Sequence, residues 1–415
     1  GRISTTWLDA ATDLAETSYG NGVRTSFNIG NFYGGSGASE LVDTWEHYYR
    51  GIRKCNMLLT RIEEVPQNPA DSEDKYNRDK KNYIAEARFL RAYFYWELFL
   101  RYGPIPIVTE ANTQVSKYKR ATVEELYTWI ITEMEEACPL LKEREEHRMR
   151  CYKATGYALL GKVYFQMGKY EKALEPLRIS YRLLQGAPNV YLTDYKNKQA
   201  SFGYTEMGMM EIMSFFPFVY SDNETLYCKF NPTMRNYYLP YYNMAPTDYL
   251  KPEIYVLFSE KDLRRNLIST KNTLGESLPY PYCGALGAHT NLGCALPEVY
   301  LMLAECEARA GSESEAKRIL KEFRSYRLLD GYEDVPASVK TKEELIRFCV
   351  EEQTREFVGT GYRFYNVRRL WNDPLFQDWK PITHTVGKQV FTLREAQLKI
   401  AYPKTILNWN EDWKK

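Results

Sequence analysis

Residues 85–109 read AEARFLRAYFYWELFLRYGPIPIVT. Wound as a helix, this stretch sets Ala85, Phe89, Ala92, Trp96 and Phe99 along one side and Leu90, Phe94 and Leu98 along a second, with polar residues between. Two apolar stripes demand two packing partners, so the helix sits between neighbours and not on a surface. Its charges, Arg88 and Arg91 on one polar strip and Glu86, Glu97 and Arg101 on the other, then need partners in a crowded setting. Gly103 is placed to cap the helix, and Pro104 and Pro106 forbid its continuation. Read this way, the stretch is architecture and carries no chemistry.

Around it, 415 residues with 44% hydrophobic and 26% charged content are enough for a large core and exclude a disordered chain. One large domain and two intimately packed ones both fit that length. Lys and Arg number 55 against 54 Asp and Glu, so no broad positive field exists to hold nucleic acid or an anionic membrane. The 35 tyrosines exceed what a core asks of a hydroxyl-bearing ring, which places many of them at least partly at the surface. The eight cysteines contain no C-x-x-C pair, and the four histidines, His47, His147, His289 and His384, stand singly, so no metal-ligand spacing exists. Cys55, Cys138, Cys306 and Cys349 fall within apolar helical patterns, where a free thiol serves as a small hydrophobe. No apolar run approaches the roughly 18 residues of a spanning helix.

Along the chain, a short helix is expected at about Thr5 to Tyr19. The stretch 18–39, SYGNGVRTSFNIGNFYGGSGAS, is too rich in glycine for a regular element and reads as a long loop. LVDTWEHYYRGIRKCNMLLTRIEEV (41–65) has helical spacing and is ended by Pro66. PQNPADSEDKYNRDK (66–80) is a polar linker, and Thr122 with Glu125 forms a capping box for the helix that follows. The stretch 156–177, GYALLGKVYFQMGKYEKALEPL, places Leu160, Gly161, Tyr164, Gly168, Tyr170 and Ala173 as a tetratricopeptide repeat does. EVYLMLAECEARAGSESEAKRIL (298–320) repeats the register: Leu303 and Ala304 match Leu160 and Gly161, Gly311 matches Gly168, and Ala316 matches Ala173. The fold expected is therefore all-α, a tetratricopeptide-like right-handed helical stack. Between the copies, Pro, Gly, Asn and Tyr dominate about 186–294, which is expected to form a large loop-rich lobe on one side. The domain reading is one unit over 1–415, with helical repeats about 42–185 and 295–370.

The order of helix, Gly stop and Pro-x-Pro exit in 85–109 resembles the signature of the SusD/RagB family, cell-surface nutrient-binding lipoproteins of gut-type Gram-negative bacteria. The resemblance extends from about Trp45 to Asn408. It includes Cys55 with Asn56, Asp262 with Arg264 and Arg265, and Glu352, Arg355, Glu356, Gly361, Arg363, Arg368 and Arg369 in the C-terminal helix and turn. Gln353, Thr360 and Asn366 stand where the family favours Arg, Glu and Asp, which should thin that ion-pair network. The closing AYPKTILNWNEDW keeps a proline and an asparagine at family-like places but lacks the usual proline-rich tail. The charge cluster is expected to tie the repeat helices to the loop-rich half and not to perform catalysis.

What the resemblance implies is a carbohydrate-binding protein at the outer membrane that captures oligosaccharides and passes them to a SusC-like TonB-dependent transporter. Membrane contact would come only through a lipid anchor that lies outside this sequence. Two other classes compete: a tetratricopeptide scaffold for protein partners, to which the Tyr-rich insertion is superfluous, and an α-helical glycosidase, which needs a carboxylate pair at a cleft. No G-x-S-x-G, phosphate loop, H-E-x-x-H or Rossmann fingerprint is present, so neither catalysis nor a metal or organic cofactor is expected. Sugars stack their apolar faces on rings and offer hydroxyls to polar side chains. The expected contact residues are Asn31, Phe32 and Tyr33 of the early loop and Tyr237, Tyr238, Tyr241, Tyr280 and Tyr282 of the insertion. Arg24 and Asp222 are expected at the rim.

Overall fold

The computed structural model describes residues 8–9, 11–17, 37–111, 118–143, 147–200, 222–228, 248–271, 277–282, 293–332, 334–386 and 388–414. Of these, the side chains at 17, 37–43, 199–200, 248–249, 269, 271, 278–280, 282 and 414 are not described. The organising helix is α2 (Glu73–Tyr102), which follows α1 (Gly37–Arg61). It starts inside the stretch read as a polar linker, because Ser72 accepts a hydrogen bond from the Lys75 N–H and caps the first turn. Gly103 ends it with φ +81°, its N–H donating to the Phe99 carbonyl, a conformation that suits a residue without Cβ.

α2 sits between neighbours, as its two apolar stripes require. α1 packs on one side, where Tyr48 and Phe94 meet at 6.0 Å, and α3 (Val123–Ala137) packs on another, where Tyr95 meets Trp129 edge-on at 5.0 Å. Phe89, Ala92, Trp96 and Leu98 are buried to 1% exposure or less. The charges are paired as crowding demands. Arg88 and Arg91 both reach Glu133 of α3, at 2.7 and 2.6 Å. Glu97 takes Arg101 and the Tyr48 hydroxyl, each at 2.7 Å, and Glu86 takes Arg150.

The stack continues through α4 (Lys153–Gln166) and α5 (Tyr170–Leu184). Beyond the insertion come α6 (Leu296–Ala310), α7 (Glu313–Ser325), α8 (Lys342–Glu356), α9 (Tyr362–Leu370) and α10 (Lys404–Trp409). α5 packs directly on α6, so the helical succession is carried across the insertion as if the repeats were adjacent in sequence. Within α4 and α5 the close approach depends on Gly161, where an added Cβ would lie 2.6 Å from Leu177 Cγ. The two register-matched glycines differ in their reasons. Gly168 has φ +69° with nothing nearby, whereas Gly311 has φ −121° and an added Cβ there would meet the Glu307 carboxylate.

Among the described residues, the strands form four two-stranded antiparallel ladders. They are β1 (Ala15–Thr17), β2 (Thr225–Tyr227), β3 (Asp248–Leu250), β4 (Ser269–Lys271), β5 (Ser277–Tyr282), β6 (Cys294–Ala295), β7 (Thr383–Val386) and β8 (Gln389–Thr392). β1 pairs with β3, β2 with β6, β4 with β5 and β7 with β8. This corrects the expected helix at 5–19: residues 8–9 are helical, but Ala15–Thr17 is a strand whose partner is more than two hundred residues away. The described cysteines are buried free thiols.

A buried charge network joins the stack to the insertion. Glu352 of α8 accepts from Arg264 (2.7 Å), Arg324 (2.5 Å) and Arg355 (2.8 Å), and Arg264 also reaches Asp262 and Glu356. Arg327, fully buried, bridges Glu356 (2.9 Å) to Glu224 (2.8 Å), which precedes β2. The neighbouring neutral positions do not leave a gap. Gln353 donates to Glu305 and accepts from Asn366, and Asn366 accepts from Arg369, which also pairs with Glu305. At Gln353 and Asn366 the expected thinning is thus a substitution of amide hydrogen bonds for ion pairs, which removes charge from a dry site.

Candidate functional site

Of the expected contact residues, Asn31, Phe32, Tyr33, Tyr237, Tyr238 and Tyr241 lie outside the described residues, as does Arg24. Tyr280 and Tyr282 lie on β5, in the ladder with β4, where Ser269 is opposite Tyr282. Asp222 has a local role: its carboxylate accepts the Glu224 N–H at 3.2 Å and shapes the turn that enters β2.

Asp9, among the described residues, is a buried carboxyl whose charge state matters. It is 1% exposed, accepts the Gly361 N–H at 2.9 Å, and has an Oδ1 without a hydrogen-bond partner among the described residues. Burial pushes its pKa up to about 8, against the lowering effects of Gly361 and Arg363. Nearby Asp13 behaves oppositely: burial acts upward, but Arg363, bonded at 2.5 Å, holds it below its ordinary value. Because the folded state keeps the Asp9 proton to higher pH than the unfolded chain, this group's contribution to stability falls as pH rises from about 4 to about 8. Asp9→Asn, which keeps the acceptor for Gly361 but cannot ionise, should flatten that decline and raise the melting temperature near pH 8. Thermal melts of both proteins across that range are the check.

A second locus is an open cleft of about 820 Å³ between α1, the Pro-x-Pro exit and the C-terminal segment. Trp45, Tyr49 and Asn56 line it from one face of α1. The exit supplies Pro106, Val108 and Glu110, and the C-terminal segment supplies Trp409, Asn410 and Trp413. Side chains hold much of the exit backbone. The Tyr49 hydroxyl donates to the Pro106 carbonyl (3.1 Å), Asn56 Nδ2 to those of Val108 (2.9 Å) and Glu110 (3.2 Å), and Arg53 Nε to that of Ala111 (3.2 Å). Asn56 is itself oriented by Arg91, 3.0 Å from its Oδ1 and anchored on Glu133. Trp45 and Trp413 are buried at 6.4 Å from each other, and Arg120 stacks over Trp413 at 5.3 Å. Trp409 stands 66% exposed.

Sequence reasoning missed this cleft. Trp45, Tyr49 and Asn56 read as a packing face of α1, and the opposite wall arrives some 350 residues later. The available signal was Trp409 and Trp413, one helical turn apart in a short polar stretch that has no apolar stripe to join.

Comparison with known proteins covers both arms of the stack. A sequence model described as starch-binding and associating with the outer membrane matches residues 14–165, and that of the SusD family matches 296–409. SusD-like protein P25 of Formosa agariphila is 21% identical over 398 residues, spanning 82% of this chain and 73% of the relative. The crystal structure of a SusD superfamily protein from Bacteroides thetaiotaomicron superposes with TM-score 0.71 at 18% identity, covering 98% of this chain and 92% of the other. A laminarin-binding SusD-like protein superposes with TM-score 0.64 at 18% identity and the same coverage.

Proposed function

The chain belongs to the SusD/RagB-like family, and from that premise we propose that it is a cell-surface protein that captures oligosaccharides and passes them to a TonB-dependent outer-membrane transporter. The observation that carries this is the match of both arms of the helical stack to that family, together with a relative of the same fold that binds laminarin. The precursor holds the protein at the outer membrane by a lipid anchor, and the chain acts as one domain without metal or organic cofactor. It binds and releases its glycan without cleaving it.

The glycan contacts come from rings in the two loop regions, with Asn31, Phe32, Tyr33, Tyr237, Tyr238, Tyr241, Tyr280 and Tyr282 as the contributing set. Stacking on a sugar face needs a ring held at the surface, and the Glu352 and Arg327 networks anchor segments of the insertion through Arg264 and Glu224. Phe32→Ala, Tyr33→Ala, Tyr238→Ala and Tyr280→Ala should be titrated against a ligand found by screening neutral plant, microbial and host glycans. Each ring that stacks on sugar should weaken binding by about 1–3 kcal/mol while leaving the melting temperature nearly unchanged. Unchanged affinity in all four, with the fold intact, would place the contacts elsewhere. Affinity for peptides with none for glycans would favour a protein-binding scaffold.

A further inference from the structure

We propose that the cleft under Trp409 is a second saccharide-binding site, distinct from the loop rings and built from α1, the Pro-x-Pro exit and the C-terminal segment. This rests on the reading of the protein as a glycan binder but uses none of its loop residues.

Three observations converge on it. The first is an indole displayed at a cost. Trp409 leaves 66% of its surface in water beside two tryptophans that are buried. A flat exposed ring beside a cleft offers the platform that the apolar face of a pyranose stacks on.

The second is polar capacity left unspent by the fold. Asn410 is 7% exposed, donates its Nδ2 to the Ile406 carbonyl at 3.0 Å, and has no partner for its Oδ1 among the described residues. Arg53 donates its Nε to the Ala111 carbonyl, and among the described residues both terminal nitrogens remain available. Among the described residues the Glu110 carboxylate has no ion-pair partner, and its backbone carbonyl is engaged by Asn56. Donor and acceptor groups of opposite charge flanking a ring suit vicinal hydroxyls, and their cancelling charge favours a neutral ligand over an anionic one. The wall that carries Glu110 is already held by Asn56 and Arg53, so little ordering accompanies binding.

The third is length. A second hollow of about 600 Å³ adjoins the cleft and shares Tyr118, Trp409 and Asn410 with it, continuing along Lys119, Glu411 and Asp412. The indole therefore separates two halves of one groove, a layout that fits a chain of sugars crossing the ring and not a single sugar in a pit.

The test is calorimetric titration of the full chain, with neutral oligosaccharides of graded length drawn from α- and β-glucans and from the glycan screen. The proteins compared are wild type, Trp409→Ala, Trp409→Phe and Tyr280→Ala. Trp409→Ala should weaken binding of the longer chains about tenfold or more with an unchanged melting temperature, and Trp409→Phe should recover most of the loss because a ring is restored. In Tyr280→Ala, saccharide should still shift the fluorescence of Trp409. If Trp409→Ala matches wild type for every glycan while the loop variant loses affinity, the cleft site is wrong and the glycan reading stands. If wild type binds no glycan, the reading of the protein fails and takes this site with it.

Discussion

Glu352→Ala is expected to destabilise the protein by about 3–5 kcal/mol, the magnitude associated with breaking a buried ion pair and leaving its partners uncompensated. Glu352 is fully buried and accepts from three guanidinium groups, those of Arg264, Arg324 and Arg355. Burial alone would raise its pKa, yet those three arginines hold it well below the ordinary carboxylate value. The sign follows. A carboxyl with a depressed folded pKa contributes stability that is fully present above its unfolded value, here 4.5, and is lost as pH falls below that. The difference between wild type and Glu352→Ala should therefore shrink in acid. Arg264 belongs to the turn at Leu263–Leu267 inside the insertion, so the variant should also expose that region to protease before the helical stack opens. Urea unfolding at about pH 7 and pH 3.5, with limited proteolysis, checks both parts. An unchanged midpoint at neutral pH would show that the network does not hold the two regions together.

The second large effect is Trp96→Ala, expected to cost about 3–5 kcal/mol through lost burial and the cavity left behind. Trp96 is 1% exposed in the C-terminal third of α2, with Phe99 at 5.7 Å, and α2 packs against both α1 and α3. The same substitution at Trp409, 66% exposed, should leave stability nearly unchanged. The two variants separate a ring that serves the fold from a ring that serves a ligand. Chemical denaturation of both is the check, and equal losses would contradict the contrast.

What the sequence made legible follows from the range of the forces involved. The stripes of α2 and its obligation to pair Arg88, Arg91 and Glu97 are visible from local periodicity, because a helix fixes which residues share a face. The identity of the partners is not, since Glu133 becomes the partner of Arg91 only when α3 docks. The matched register around Gly161 and Ala304 revealed the repeats, and the contact of α5 with α6 is their three-dimensional counterpart. Failure came where pairing is long-range. Three residues, Ala15–Thr17, cannot display a period, and their strand identity comes from β3 alone. The cleft was hidden for the same reason, because its walls are remote in sequence and half of them resemble core. The replacement of charges by Gln353 and Asn366 looked like a loss in sequence and is a closed hydrogen-bond relay in structure. The loop rings were legible as a composition, but composition does not arrange them around a ligand.

The central claim is that this protein binds a glycan and leaves it intact. Its most direct test is a calorimetric titration of the purified chain with neutral glycans, followed by prolonged incubation of each bound glycan and an assay of reducing ends. The account predicts a saturable isotherm for at least one oligosaccharide, with no reducing ends released and the chain length unaltered. Absence of binding across the screen, or growth of reducing ends with the protein present, would contradict it.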